Sequence, residues 1–307
     1  MTFIEKYMSF DLTERAAQGM AVWGNNAFIL YDGGTCSVYN LKSRSSLPVD
    51  TFPLGSVNPG IPSKEYRNHA NSCMFSNTHW KENPIPLLYI TIGSGIGYDK
   101  DGYYYRCSVE NIACSTDEKG NPHYNAKVLQ TITYKPDGIK NASFDSPTWG
   151  CPCFLTDNEY LYIFSAKYRT KAGCVPEGEN NEFIITKFPL PEINAGNSIR
   201  LTPTDILDQF SIESNTLYTQ GGMIQDHLLY YTFGFPKGGY PVKMMIFDLE
   251  KQCLVWESDA MDQSFDGEEI ECCSFYQNQL LCNTSTGSIF RVTLGTDGNI
   301  LPKFKKR

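Results

Sequence analysis

The chain has 307 residues, enough for two ordinary domains or one large all-β domain. Its formal charge of −8 argues against nucleic acid or an anionic membrane as the main partner, because both call for a basic surface. With 19 Tyr, 18 Phe, 25 Gly and 17 Pro and few helix-period segments, it is a chain of short strands and turns.

The N-terminal stretch 3–12 alternates as a strand. It carries acidic residues and lacks the apolar core of a signal peptide, and no run reaches the length of a membrane span. The 11 Cys are an odd count, which fits free thiols in a reducing compartment, so a cytoplasmic protein is expected. Cys73, Cys151, Cys153, Cys272, Cys273 and Cys282 fall at apolar strand positions and are expected to pack as small hydrophobes. The basic tail Lys303, Lys305, Lys306 and Arg307 reads as a solvated terminus.

Residues 18–41, QGMAVWGNNAFILYDGGTCSVYNL, hold three short strands joined by two turns, Gly24-Asn25-Asn26 and Asp32-Gly33-Gly34. Gly, Asn and Asp tolerate the positive φ of hairpin turns, and the flanking aromatic and β-branched residues suit a pleated, half-buried surface. The same grammar returns near His69, Trp149, Gln220 and residue 270. The copies are spaced by about 50 residues, stretched to about 70–80 where insertions intervene, as a β-propeller of four-stranded blades requires. A fourth strand fits at 127–134, 199–206 and 253–258, and 207–214 reads as a single helical turn.

Five copies predict five blades in one domain spanning 1–307, starting near 18, 69, 149, 220 and 270, with 3–12 closing the ring as the outer strand of the last blade. A sixth blade hidden in 113–148 is the alternative. The pattern in 18–41, repeated at 220–249, resembles bacterial β-propeller proteins, most closely the uncharacterised ones. The WD dipeptide, the kelch double glycine and the sialidase box are all missing, so that resemblance carries no activity with it.

In a propeller the first residues of each inner strand ring one mouth of the central channel, where ligands usually sit. Here those positions are Gln18, His69, Asn71, Trp149, Gln220, Glu269 and Glu271, with Asp145 shortly before Trp149. Gln18-Gly19 and Gln220-Gly221 are one dipeptide at equivalent places. Inter-blade hydrogen bonding and ligand contact are both open to such amides. His69 is either a hydrogen-bonded structural histidine or an acid/base or ligating group. A zinc site would need His69, His79 and Glu271 to converge, so no metal or other cofactor is expected. Five-bladed propellers also host furanosidases, which need two carboxylates across the scissile bond. Glu269 and Glu271 lie two residues apart on one strand, and Asp32 reads as a turn residue, so that resemblance stops short of the chemistry. Trp149, Tyr66 and Trp80 could stack on sugar rings. Gly93-Ser-Gly95-Ile-Gly97 precedes no helix and reads as a hairpin rather than a phosphate loop.

The expected function is a monomeric binding propeller that engages a small polar ligand, a glycan among the candidates, or a protein partner at this mouth. The alternative is a carbohydrate-active hydrolase or lyase using His69 with Glu271 or Asp145.

Overall fold

The computed structural model describes residues 3–56, 69–93, 105–134, 143, 152–166 and 180–294. Among these are five antiparallel sheets, each running outward from an inner strand. Blade one contains β2 (Ala17–Trp23), β3 (Asn26–Tyr31), β4 (Thr35–Asn40) and β5 (Asp50–Pro53). Blade two contains β6 (Ser72–His79), β7 (Pro86–Gly93), β8 (Tyr105–Thr116) and β9 (Pro122–Tyr134). In blade three, β10 (Cys153–Thr156), β11 (Tyr160–Ala166) and β12 (Glu182–Pro189) are completed by β14 (Asp208–Glu213). Blade four has β15 (Thr219–Gln225), β16 (Leu228–Phe235), β17 (Tyr240–Asp248) and β18 (Cys253–Glu257).

Blade five is built from both ends of the chain. Its strands β19 (Ile270–Tyr276), β20 (Gln279–Thr284) and β21 (Ser288–Thr293) come from the C-terminal part. Its outer strand is β1 (Phe3–Ser9), paired antiparallel with β21 from Phe3–Thr293 to Ser9–Ser288. The ring therefore closes by backbone hydrogen bonds, and the edge of β21 is covered. The protein is a five-bladed β-propeller.

Among the described residues no sixth blade forms. Residues 105–134 instead make a long hairpin, β8–β9, within blade two. The fourth strand of blade three is also misplaced by sequence pattern. Ser198–Leu201, labelled β13, leaves blade three and pairs in parallel with β9 of blade two. The supposed helical turn at 207–214 is the true outer strand, β14, paired with β12. Both readings fail for one reason. β9 presents an open outer edge, and the passing chain satisfies it, with the Gln130 amide binding the carbonyls of Glu192 (2.9 Å) and Gly196 (3.1 Å).

Apolar faces pack between blades. One cluster spans blades two to four around Phe154, Phe164, Phe183, Tyr231, Phe233 and Phe247. Phe164 stacks on Tyr231 at a ring separation of 3.9 Å. Cys73, Cys153, Cys272, Cys273 and Cys282 are buried free thiols, as expected, and burial pushes the thiols of Cys73, Cys272, Cys273 and Cys282 above the ordinary range. Cys151 lies outside the described residues. Among the described residues, no helix is long and apolar enough to cross a membrane.

Candidate functional site

The inner strands enter the axis through β-bulges in three blades. The register slips between Ala17 and Met20 in blade one, between Thr219 and Gly222 in blade four, and between Ile270 and Cys272 in blade five. A bulge turns an extra residue out of the ladder and re-aims its side chain. Here the bulged residues are Gln18-Gly19, Gln220-Gly221 and Glu271, all positions expected at the mouth.

The repeated glycine has a steric origin. A Cβ on Gly221 would sit 2.8 Å from the carbonyl oxygens of both Asn71 and Glu271 and 3.0 Å from Cys272 Sγ. A Cβ on Gly19 would sit 2.7 Å from the Ala70 carbonyl oxygen and 3.0 Å from Cys73 Sγ. In each pair the bulge of one blade packs on the thiol of the next, and only a residue without Cβ fits. Blades two and four are bridged beneath them: Ser72 Oγ of blade two lies 3.3 Å from both N and O of Gly222 in blade four. The mouth is thus a cup with a protein floor.

The two glutamines of the repeat do different work. The Gln220 backbone carbonyl is held by the Tyr231 hydroxyl at 3.0 Å. Its amide nitrogen donates to the Gly234 carbonyl (2.8 Å) and to Glu269 Oε1 (2.9 Å), which ties blade four to blade five. Gln18 is 6% exposed, and its backbone carbonyl accepts from Asn283 Nδ2 at 2.7 Å, which ties blade one to blade five.

His69 stands at the rim, its Nδ1 3.3 Å from Asp32 Oδ1, so the turn between β3 and β4 reaches the site. Sequence pattern had set Asp32 aside as turn chemistry. It is a turn residue, but that turn lies at the mouth end of blade one. Asn71, 6% exposed, points Nδ2 at Cys153 Sγ (3.8 Å), and its Oδ1 is buried without a partner.

Glu271 is the most buried acid of the cup. It is 3% exposed, and its backbone carbonyl accepts from Thr232 Oγ1 at 3.2 Å. Burial first, then the nearby carboxylates of Glu269 and Asp32, hold its pKa well above the usual carboxylate range. Burial also raises Glu269, against the opposing pull of the Gln220 hydrogen bond and of Lys237 and His69. Lys237 sits in the 3-10 turn Pro236–Gly238 between β16 and β17, and no sequence signal marked it. Beside the cup, Tyr218 stacks on Tyr240 (4.2 Å) and Phe235 (5.4 Å), forming a half-buried aromatic shelf. A shallow cleft of about 440 Å³, lined by Thr216, Leu217, Tyr240 and Lys243, adjoins the shelf through Tyr240.

Two expected members, His79 and Trp80, fall elsewhere. His79 ends β6 at the opposite end of the blade and bonds the Asn83 carbonyl, so the trio with His69 and Glu271 does not converge. Among the described residues, no three His, Cys, Asp or Glu lie close enough to share a metal ion. Trp80 follows His79 at that same far end and packs on the core rather than offering a ring at the mouth. Trp149, Asp145, Tyr66 and the glycines at 95 and 97 lie outside the described residues.

No family model matches the chain, and no characterised relative does. Solved structures with a similar trace include a glutaminyl cyclase from Myxococcus xanthus, at 9% identity and TM-score 0.48, covering 95% of this chain and 96% of that one. A putative glucose dehydrogenase-type oxidoreductase from Thermus thermophilus aligns at 10% identity and TM-score 0.43, over 95% of this chain and 100% of that one. The β-propeller domain of Cps50 (Swd1) from a thermophilic Myceliophthora aligns at 10% identity and TM-score 0.41, over 93% and 85%. At such identities these likenesses bear on neither activity nor ligand.

Proposed function

We propose that the protein is a binding propeller whose cup, ringed by Gln18, Asp32, His69, Asn71, Gln220, Glu269 and Glu271, receives a small polar ligand. The observation that carries this reading is the buried Asn71 Oδ1, which has no hydrogen-bond partner, on a residue whose backbone carbonyl meets Gly221 together with that of Glu271, a side chain only 3% exposed. Buried polar groups left open cost of order 1–3 kcal/mol each, and a ligand that completes them recovers that cost on binding. The rigid bulges fix these groups before any ligand arrives, which lowers the ordering cost of association. The aromatic shelf of Tyr218, Tyr240 and Phe235 offers a stacking surface for a ring, a glycan among the candidates.

A second reading is kept because His69 is oriented by Asp32, as a general base is by its carboxylate, while burial and nearby acids raise the Glu271 pKa, in the direction a general acid needs. On that reading the cup hydrolyses or eliminates across a carbohydrate bond. His69→Ala and Glu271→Gln, assayed separately for glycan binding and for turnover, separate the two. Binding by wild type that Glu271→Gln abolishes, with no turnover, supports the binding propeller. Turnover by wild type that both variants abolish establishes the enzyme. Ligand binding that neither variant alters puts the site elsewhere.

A further inference from the structure

Off the axis, the link from blade three to blade four runs past the ends of two blade-four strands. The cleft of about 440 Å³ lies there, lined by Glu213 and the link 214–217, by Tyr240 and Lys243 of β17, and by Glu257 of β18. Small-molecule sites run from about 300 to 1,000 Å³, so the cleft has room for one ring. Its polar groups are fixed by the fold. Lys243 Nζ donates to Glu257 Oε1 at 2.8 Å, and Thr216 Oγ1 donates to the same oxygen at 3.5 Å. Thr216 N donates to Ser214 Oγ at 3.2 Å, and Asn180 Nδ2 holds the Glu213 carboxylate. A lysine has three donors and a carboxylate two acceptor oxygens, so the Lys243–Glu257 pair has both kinds of hydrogen bond to spare.

A strained residue holds the aromatic wall. Tyr218 has a φ of +61°, in the left-handed region that bulky side chains rarely enter. Its carbonyl accepts from Gly234 N at 2.8 Å, and its ring packs on Tyr240 at 4.2 Å. Strain of this kind persists only where neighbours enforce it, and it gathers at ligand sites. The lining then selects the ligand. It carries two carboxylates against one ammonium, which disfavours an anion. A cation gains little, because Lys243 already neutralises Glu257. An apolar molecule would cover hydroxyl, amide and charged groups without pairing them. A pyranose has hydroxyls that each donate and accept, and a C–H face that suits an aromatic ring.

We propose that this cleft between blades is a second binding site, for a neutral pyranose ring, with Glu257, Lys243, Asn215 and Thr216 bonding its hydroxyls and Tyr240 against its C–H face. The site has its own lining and does not depend on the cup.

The test uses saturation-transfer NMR and calorimetry on the full chain. The probes are glucose, galactose, mannose and N-acetylglucosamine, each as the free sugar and as its methyl glycoside, with cyclohexanol and glucuronate as controls. The expected result is that at least one neutral pyranose binds, at least tenfold tighter than either control. Tyr240→Ala and Glu257→Gln should each weaken it by about tenfold. Asn215→Ala, at an exposed link position, should weaken it by about threefold and serves if Tyr240→Ala does not fold. A methyl glycoside that binds as well as its free sugar marks the end of a glycan as the ligand, and binding of the free sugar alone marks a monosaccharide; both uphold the site. Binding of none of these sugars overturns the proposal, as does equal binding of the controls. Sugar binding that the cleft variants leave unchanged also overturns it, and if His69→Ala abolishes that binding the sugar sits in the cup instead.

Discussion

Replacing Glu271 by Gln should stabilise the protein by an amount that grows with pH. The side chain is 3% exposed and feels Glu269 and Asp32, so its folded pKa lies above the unfolded carboxyl value. The sign follows from linkage. The group's contribution is fully favourable below the unfolded pKa of about 4.3 and is lost as pH rises toward the folded pKa. Over that window the unfolded chain loses a proton that the folded chain keeps. Each pH unit then favours unfolding by up to about 1.4 kcal/mol. Gln does not titrate, so the stability difference between variant and wild type should rise by up to that slope from about pH 5 upward. With an unfolding entropy of about 2.1 cal/mol/K per residue, a chain of this length gains roughly 2 °C in Tm per pH unit. Urea unfolding followed by tryptophan fluorescence at pH 5, 6, 7 and 8 measures it. A difference that is flat over this range, or that shrinks as pH rises, would refute the assignment of Glu271 as a buried, uncompensated carboxyl.

Gly221→Ala should cost about 2–4 kcal/mol in the same assay, because its Cβ would lie 2.8 Å from two backbone carbonyls that cannot both retreat. Glu110, fully buried, accepts from the amides of Gly55 (2.6 Å) and Ser56 (3.0 Å) and from Ser108 Oγ (3.0 Å), anchoring the chain where it leaves blade one. Glu110→Ala should destabilise by about 2–4 kcal/mol and speed hydrogen exchange at Gly55 and Ser56 above that of the blade-four strands. Removing residues 1–9 takes away β1 and bares the edge of β21. The truncated chain should unfold at lower urea and self-associate on size-exclusion chromatography, and an unchanged midpoint would show that the ring closes without it.

Much of the fold was legible because a blade is a local object. Strand–turn–strand patterning over 18–41, with glycine and asparagine at positive-φ turns, needs no distant partner to be recognised. The closing role of β1 was legible for a related reason: an alternating strand ahead of the first inner strand has one free edge to fill. β13 and β14 were not legible. Their sequences decide only that they can extend, and the open edge of β9, about 65 residues earlier, decides which of them joins blade two.

The same division runs through the cup. Spacing alone placed Gln18, His69, Asn71, Gln220, Glu269 and Glu271 at one end of their blades, since repeats carry equivalent residues to equivalent places. Only the tertiary structure assigned their states. It brought Asp32 to His69 from a turn in another blade, gave the amide of Gln220 two partners, and buried Glu271 near other acids. Periodicity is written in a few neighbouring residues, whereas desolvation and charge are sums over groups that meet only when the ring has closed.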